Sequence, residues 1–366
     1  MPDSAKYVLI GSTEPRSGKS TALFAIAFQL QSCGFTVGWG KPLASGDGAR
    51  DSLECLDTDL NFVPDMLSLG HEQRKPPLLC MDEGTLARQL VRAEEADFRD
   101  ALREYRTESA SDVVLLEGPG TLEEGALMHL SLPEMAIALD AAVILVMQCN
   151  TRHMVDQIVS AQKRLGRSLL GVVINGVNEA NETFMAEVVA PYLENHGIPI
   201  LATLPQIPFL QGVRVSEIVH HLDADVICCA DHLDLVVESL KIGAMNVNAA
   251  LRFFSQGVHQ AVVTGGDRRD LQIAALETST HCLVLTGQIP PAEDVVALAK
   301  DKEVPVLSVA TDTLTTVERI DSLFGHVPLN NPDKVSLVKA HLAKKLDLAR
   351  LIQLLGLERP AIAPHS

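Results

Sequence analysis

Short apolar runs recur through the first 210 residues between helical patterns, and several are apolar at successive positions without alternation. A strand that is apolar on both faces is buried on both faces, which is typical of a parallel sheet covered by helices. Apolar residues make up 47% of the chain and aromatic residues only 4%, so we expect an interior of aliphatic layers. The pattern predicts strands near residues 7–10, 35–39, 113–116, 142–147, 170–174 and 198–202.

The length of 366 residues favours two domains of ~150–200 residues rather than one. We place the first domain at residues 1–212, a smaller one at 213–330 and a helical tail at 331–366. The overall prediction is an α/β fold. In the second domain the pattern restarts with a helix near 214–222, followed by strands near 226–229, 261–264, 282–285 and 304–309.

The first predicted strand runs into a loop that carries Gly11, Gly18, Lys19 and Ser20, and a helical pattern follows. Strand, glycine-bearing loop and helix form the context of a phosphate-binding loop (P-loop). Its amides and helix N-terminus attract phosphate, its lysine neutralises phosphate oxygens, and its hydroxyl can bind Mg²⁺. Six residues separate the two glycines where the common pattern has four. The residues predicted to bind nucleotide here are Gly11, Ser17, Gly18, Lys19, Ser20 and Thr21.

Further polar residues follow other predicted strands, and ligands of open parallel sheets bind beyond the carboxyl ends of the strands. Lys41 follows the second strand, and we expect it to lie beside the phosphates; a solvated loop lysine is the alternative. Glu117 follows the third, where a carboxylate can bind Mg²⁺ directly or through water. A structural turn-capping role is the alternative for Glu117.

Three more residues have two interpretations each. Asp57 and Asp59 either add acidic contacts to Mg²⁺ or cap a helix. Asn175 ends a predicted strand, and its amide either presents a donor and an acceptor to an adenine edge or only forms the turn. The predicted ligands are therefore ATP and Mg²⁺.

The net charge of −17 would repel a nucleic-acid backbone, and no apolar stretch reaches the ~18–20 residues of a membrane span. With no basic, apolar leader at the N-terminus, we expect a cytoplasmic protein. The seven cysteines include no Cys-x-x-Cys pair and predict reduced core residues.

Four motifs, in order, make the first domain similar to the dethiobiotin synthetase family of P-loop ATPases. They are the loop ending in Gly18-Lys19-Ser20, the Gly40-to-Gly46 segment with Lys41, Leu116-Glu117-Gly118 and Val173-Ile174-Asn175. The resemblance implies ATP and Mg²⁺ at the first lysine and its hydroxyl, with Lys41 beside substrate and γ-phosphate. It also implies Glu117 at Mg²⁺ and Asn175 at adenine. The segment after Glu117 lacks that family's glycine-rich substrate loop.

The second domain resembles the DRTGG domain, through Thr264-Gly265-Gly266-Asp267-Arg268 and a related Thr286-Gly287 turn. This order of domains is similar to the N-terminal regulatory region of long phosphate acetyltransferases, without their catalytic domain. As structure alone, the turn and an Asp267 helix cap explain the first motif equally well.

Three functions stay open. The first is an ATP–Mg²⁺-responsive regulator whose second domain signals to a partner or responds to a metabolite. The second is an ATP-dependent ligase for a small carboxylate, in which Lys19 and Lys41 stabilise the transferring phosphoryl group. The third is a scaffold that binds no nucleotide and self-associates through the second domain and the C-terminal helices. The sequence nominates no catalytic base.

Overall fold

The computed structural model describes residues 5–45, 55, 57–91, 97–106, 109–150, 153–324 and 331–358. The chain divides into two compact units, one of residues 1–206 with 328–366 and the other of residues 207–327. The predicted α/β class is confirmed in both. In the first unit the strands are β1 (Lys6–Gly11), β2 (Val37–Gly40), β3 (Leu43–Ser45), β4 (Arg74–Lys75), β5 (Leu79–Met81), β6 (Val113–Glu117), β7 (Ala142–Gln148), β8 (Leu169–Val177) and β9 (Ile200–Pro205).

Seven of these strands form one sheet in the order β4-β2-β6-β1-β7-β8-β9, and every pairing is parallel. The central strands are buried along almost their whole length, as their uninterrupted apolar sequence requires. β3 and β5 form a separate parallel pair. The helices between these strands are α1 (Lys19–Ser32), α2 (Asp59–Met66), α3 (Glu83–Val91), α4 (Arg99–Tyr105), α5 (Leu132–Ala138), α6 (Met154–Leu165), α7 (Glu179–Phe184) and α8 (Ala190–Asn195).

The second unit has a five-stranded sheet in the order β11-β16-β15-β14-β13, with β11 antiparallel to β16 and the other pairs parallel. A short antiparallel pair, β10 with β12, is separate. The elements are α9 (Pro208–Gln211), β10 (Val213–Arg214), α10 (Val215–Leu222), β11 (Asp225–Cys228), β12 (Val236–Val237), β13 (Ser239–Gly243), α11 (Val247–Phe254), β14 (Gln260–Gly265), α12 (Arg269–Leu276), β15 (Thr280–Thr286), α13 (Glu293–Asp301), β16 (Val306–Val309) and α14 (Thr313–Leu323).

The C-terminal helices α15 (Pro332–Leu337) and α16 (Leu348–Leu355) cluster with the first unit, whereas the sequence suggests a separate tail from residue 331. The backbone of Asp347 donates to the carbonyl of Leu201 at 2.7 Å. Arg350 forms a two-pronged ion pair with Glu194 of α8. Leu351, Ile352 and Leu355 of α16 are buried, so the first unit covers the apolar face of this helix.

One cysteine prediction is wrong. Cys55 and Cys80 form a disulfide, with their Cα atoms 5.7 Å apart, a separation that a disulfide spans without backbone movement. The five cysteines described as free are Cys33, Cys149, Cys228, Cys229 and Cys282. Because the bonded cysteines are 25 positions apart, no short spacing in the sequence indicates the bond.

Two leucines of α16 test whether this helix belongs to the first domain. Leu351 is fully buried, whereas Leu354 is 39% exposed. We expect Leu351→Ala to lower the free energy of unfolding by about 2–5 kcal/mol, because it leaves a cavity in the core. Urea unfolding followed by the fluorescence of Trp39, the single tryptophan and a buried residue of β2, measures this loss. The matched Leu354→Ala should cost less than about 0.5 kcal/mol; equal effects would contradict the packing.

Candidate functional site

The predicted phosphate-binding loop connects β1 to α1 at the carboxyl edge of the large sheet. Gly18 precedes the helix in the left-handed region, at φ 93°. A Cβ atom there would lie 2.1 Å from the side-chain nitrogen of Asn175, so only glycine fits. Lys19, Ser20 and Thr21 form the first turn of α1, whose free amides make the helix start an anion-attracting end.

Asn175 lies near the carboxyl end of β8, which is separated from β1 in the sheet by β7 alone. This position places Asn175 beside the loop that follows β1. Its side-chain nitrogen donates to the carbonyl oxygen of Ser17 at 3.0 Å. The side-chain oxygen of Asn175 remains the acceptor of the amide. The structure therefore brings Asn175 to the loop and uses the donor half of its amide there.

Two buried polar atoms at this edge have no hydrogen-bond partner within the described part of the chain. They are the hydroxyl of Ser17 and the Oε2 atom of Glu117. Ser17 is fully buried and Glu117 is 5% exposed. Since buried polar groups are nearly always hydrogen-bonded, such atoms fit a site completed by a polar ligand or an ion.

Lys41 is the centre of a buried charge cluster that joins three other sequence-predicted residues. Its Nζ atom lies 2.7 Å from Asp57, 2.9 Å from Asp59 and 3.6 Å from Glu117. The side chains of Lys41, Asp57 and Glu117 are each less than 10% exposed. We call Lys41, Asp57, Asp59 and Glu117 the lysine–carboxylate cluster. Gly46, at the end of the segment that follows Lys41, lies outside the described residues.

Burial and the neighbouring charges shift the pKa values of Lys41 and Glu117 in this cluster. Burial by itself would lower the pKa of Lys41, but the charges of Glu117, Asp59 and Asp57 outweigh it and hold that pKa above its usual value. Burial raises the pKa of Glu117, and the nearby lysines only partly oppose this. Burial also lowers the pKa of Lys19. Lys41 therefore stays charged, with its donors directed to carboxylates.

A cavity of about 460 Å³ opens beside the loop, and both Lys19 and Lys41 line it. Glu117 and the following residues 118–121 form another wall. Register places Glu117 next to Ile10, so the ends of β6 and β1 meet at this cavity. The cavity thus lies where parallel-sheet proteins bind ligands.

Glu124 also lines this cavity, although it is absent from the sequence-predicted residues. One of its carboxylate oxygens accepts from the backbone N–H of Gly120, and its backbone donates to the Thr121 hydroxyl at 3.1 Å. Its charge acts on Lys19, whose protonated form it favours. The loop that starts with Gly118-Pro119-Gly120 brings this residue back to the cavity, and this glycine-containing segment is the signal in the sequence.

The residues present fit Mg²⁺ as part of a nucleotide complex. Within the described ranges, no three His, Cys, Asp or Glu side chains are arranged to hold a metal by themselves. Protein-bound Mg²⁺ usually takes one or two carboxylates, several waters and phosphate oxygens. The unpaired Oε2 of Glu117 offers one such oxygen.

Family comparisons give the class of protein. Residues 6–214 match the AAA domain family, so the chain belongs to that family, and residues 217–323 match the DRTGG domain.

No helix in the described part of the chain is long and apolar enough to cross a membrane.

Curated relatives give a more particular similarity. The chain is 26% identical to phosphate acetyltransferase from Nitratidesulfovibrio vulgaris and 25% identical to that from Pseudomonas putida. These alignments cover 93% and 96% of this chain but 50% and 52% of the relatives, so the chain spans about half of their length. The predicted resemblance to the regulatory region of phosphate acetyltransferases is confirmed.

One solved structure is cobyrinic acid a,c-diamide synthase from Mycobacterium smegmatis with bound ADP and magnesium. It is 20% identical, with a TM-score of 0.36, over 56% of this chain and 87% of that chain.

Removing the charge of Lys41 tests the lysine–carboxylate cluster. We expect Lys41→Met to lower the free energy of unfolding by about 3–5 kcal/mol at pH 8, because three buried carboxylates lose their counter-charge. Burial already raises the pKa of Glu117, and without Lys41 to oppose it that folded-state pKa rises further above the unfolded value. The variant should therefore regain stability as the pH falls towards 5 and lose it as the pH rises.

Urea unfolding followed by circular dichroism at pH 5 and pH 8 measures this effect. Lys6→Met, at an exposed lysine of β1, is the control and should behave like the wild type at both pH values. A pH-independent loss in Lys41→Met would mean that the cluster does not carry the charge interaction.

Proposed function

We propose that this chain is an ATP–Mg²⁺-binding regulatory protein, in which the AAA domain binds the nucleotide. The DRTGG domain then passes the nucleotide state to a partner or responds to a metabolite. The observation that carries the proposal is the meeting of the glycine loop, Lys19 and the lysine–carboxylate cluster around one cavity. A cytoplasmic location belongs to the same proposal.

The chemistry of each group supports a specific role. The amides of the loop and Lys19 would hold the phosphates, and the Ser20 hydroxyl would bind Mg²⁺. Glu117 would accept from a water on that ion or bind it directly. Asp57 and Asp59 would act around the ion through Lys41, whose ammonium they already hold.

Asn175 would read the base. Its amide nitrogen already donates to Ser17, so the amide oxygen is the atom that can accept from the amino group of adenine. Guanine has a carbonyl oxygen at the corresponding position, and two acceptors would repel each other. This favours ATP over GTP.

Similarity to phosphate acetyltransferases, together with the DRTGG match at residues 217–323, supports the regulatory role. The match covers nearly all of this chain but only half of each relative. The size of the cavity, about 460 Å³ with two lysines, favours one alternative: an ATP-dependent ligase that holds a small carboxylate beside the γ-phosphate.

Lys19→Ala tests nucleotide binding. We expect calorimetric titration with ATP–Mg²⁺ to show an affinity about 100-fold weaker, or about 2.7 kcal/mol, because a buried charge-assisted contact to phosphate is lost. Circular dichroism should show an unchanged fold. Lys6→Ala, at an exposed lysine, is the matched control. Equal affinities in wild type and Lys19→Ala would remove the proposal.

Phosphate release in the same samples separates the functions. Binding with slow release supports the regulator, and brisk release that increases with a small carboxylate supports the ligase. If wild-type protein binds neither ATP nor ADP, a non-binding scaffold is the better description.

Asn175→Ala tests base recognition. We expect wild-type protein to bind ATP at least about 10-fold more tightly than GTP, a difference of about 1.4 kcal/mol. The variant should lose most of that preference, since the acceptor for the adenine amino group is gone. Competition between ATP and GTP for a fluorescent ATP analogue gives the ratio. An equal loss for both nucleotides would assign Asn175 to the loop alone.

A further inference from the structure

The helical segment between β8 and β9 carries an apolar stripe that faces solvent. Phe184, Val188 and Tyr192 follow one another at intervals of four residues and are 44%, 51% and 43% exposed. Residues four apart on a helix are neighbours on its surface, so the three side chains form one stripe about 12 Å long. The Tyr192 ring also stacks on the ring of His196, with the centroids 4.1 Å apart. We call Phe184, Val188 and Tyr192 the exposed stripe.

The exposed stripe is not the surface that holds this segment on its own domain. A second stripe, of Met185, Val189 and Leu193, is buried in the core of the first unit. One apolar stripe is what a surface helix needs to pack on a domain. Residues Met185–Val189 form a π turn between α7 and α8, and π turns are rare and frequent at functional sites. The exposed stripe is therefore apolar surface beyond what the packing of this helix uses.

The surroundings of the exposed stripe are acidic. The sequence has no lysine or arginine from residue 168 to residue 213, and its four glutamates in that stretch all lie in α7, the π turn or α8. Glu194 is paired with Arg350. The other three are exposed and form no ion pair with another described residue: Glu179, Glu182 and Glu187. Glu187 is three positions after Phe184, so it borders the exposed stripe.

This charge pattern selects the kind of partner. A second copy that docked through the same face would place glutamates against glutamates, because a two-fold contact uses the same patch on both subunits. Nucleic acid and anionic lipid headgroups are negative as well. A helix of another protein can lay its own apolar stripe along this one. Lysine or arginine beside that stripe would then meet the glutamates.

We propose that the exposed stripe is the docking site for an amphipathic helix of a partner protein, in which lysine or arginine flanks the apolar residues. Val188 lies at the centre of the contact, with Phe184 and Tyr192 on either side of it. Glu187 pairs with a basic side chain at the rim, which adds specificity and speed of encounter more than affinity. Docking here does not involve the nucleotide site, so its test is independent of the proposed function.

The test uses the full-length chain and two synthetic peptides of about 15 residues, long enough for an amphipathic helix. One peptide has leucine on one helix face and lysine on the other, and its counterpart has glutamate in place of lysine. The fluorescence anisotropy of the labelled peptide gives the dissociation constant. We expect the leucine–lysine peptide to bind in the micromolar range, and the leucine–glutamate peptide to bind at least about 10-fold more weakly.

A pair of valine variants locates the contact. Val188→Lys should weaken binding of the leucine–lysine peptide at least about 10-fold, because it puts a charge into the apolar contact and repels the peptide. Val258→Lys is the matched control and should bind like the wild type. Val258 is 58% exposed and lies in the second unit, and its substitution changes the net charge by the same amount. Tyr192→Ser repeats the test should Val188→Lys fold poorly by circular dichroism.

A pair of glutamate variants tests the charge at the rim. Glu187→Gln should weaken binding of the leucine–lysine peptide about 3-fold, since one exposed ion pair contributes little. Glu277→Gln, at an exposed glutamate of the second unit, should leave the affinity unchanged.

Four results overturn the proposal. The first is a wild-type chain that does not bind the leucine–lysine peptide. The second is equal weakening by Val188→Lys and Val258→Lys, which would assign the binding to the overall charge of the chain. A dimer in sedimentation velocity that Val188→Lys dissociates would assign the exposed stripe to a second copy. Binding to phosphatidylserine vesicles that Val188→Lys abolishes would assign it to a membrane surface.

Discussion

The ammonium group of Lys41 organises the candidate site, because it is the buried positive charge on which three carboxylates converge. Burying one charged group is costly, and a buried charge persists where opposite charges and hydrogen bonds surround it. Lys41 directly follows β2, and Glu117 ends β6, its neighbour in the sheet. The parallel register thus brings the two ends together, while Asp57 and Asp59 arrive from the start of α2.

The sheet itself is the part of the fold that the sequence predicts best. Strands buried on both faces have to be apolar at successive positions, and that requirement is visible along β1, β6 and β7. Short edge strands lack this run of successive apolar residues. β4 consists of Arg74 and Lys75 only, and β13 is mostly half-exposed, so neither stands out from a loop. For α16, the apolar spacing predicts a buried face but not the surface that covers it.

The candidate site, too, is only partly predictable from the sequence: its residues can be nominated, but their contacts cannot. Lys19, Lys41, Glu117 and Asn175 can be nominated because each lies near the carboxyl end of a strand or opens a helix after one, where topology brings side chains together. Which atoms contact each other is not written in that pattern. The bond from Asn175 to Ser17, like the ion pairs of Lys41, depends on distances of a few ångströms that arise only in the packed chain. The Cys55–Cys80 bond has no local spacing that would indicate it.

The balance of charge at the cavity decides which form of a nucleotide suits it. Two lysines, Lys19 and Lys41, and two carboxylates, those of Glu117 and Glu124, line the cavity. The carboxylates of Asp57 and Asp59 lie behind it on the Lys41 ammonium. With all six ionised, the carboxylates exceed the lysines by two, and protonation of Glu117, favoured by its burial, halves this excess. A free triphosphate would meet net repulsion, whereas a divalent cation between phosphate and carboxylate changes it to attraction. For the proposed nucleotide function, the cluster would therefore suit a metal–nucleotide complex better than the nucleotide alone, with Lys41 offsetting part of the carboxylate charge.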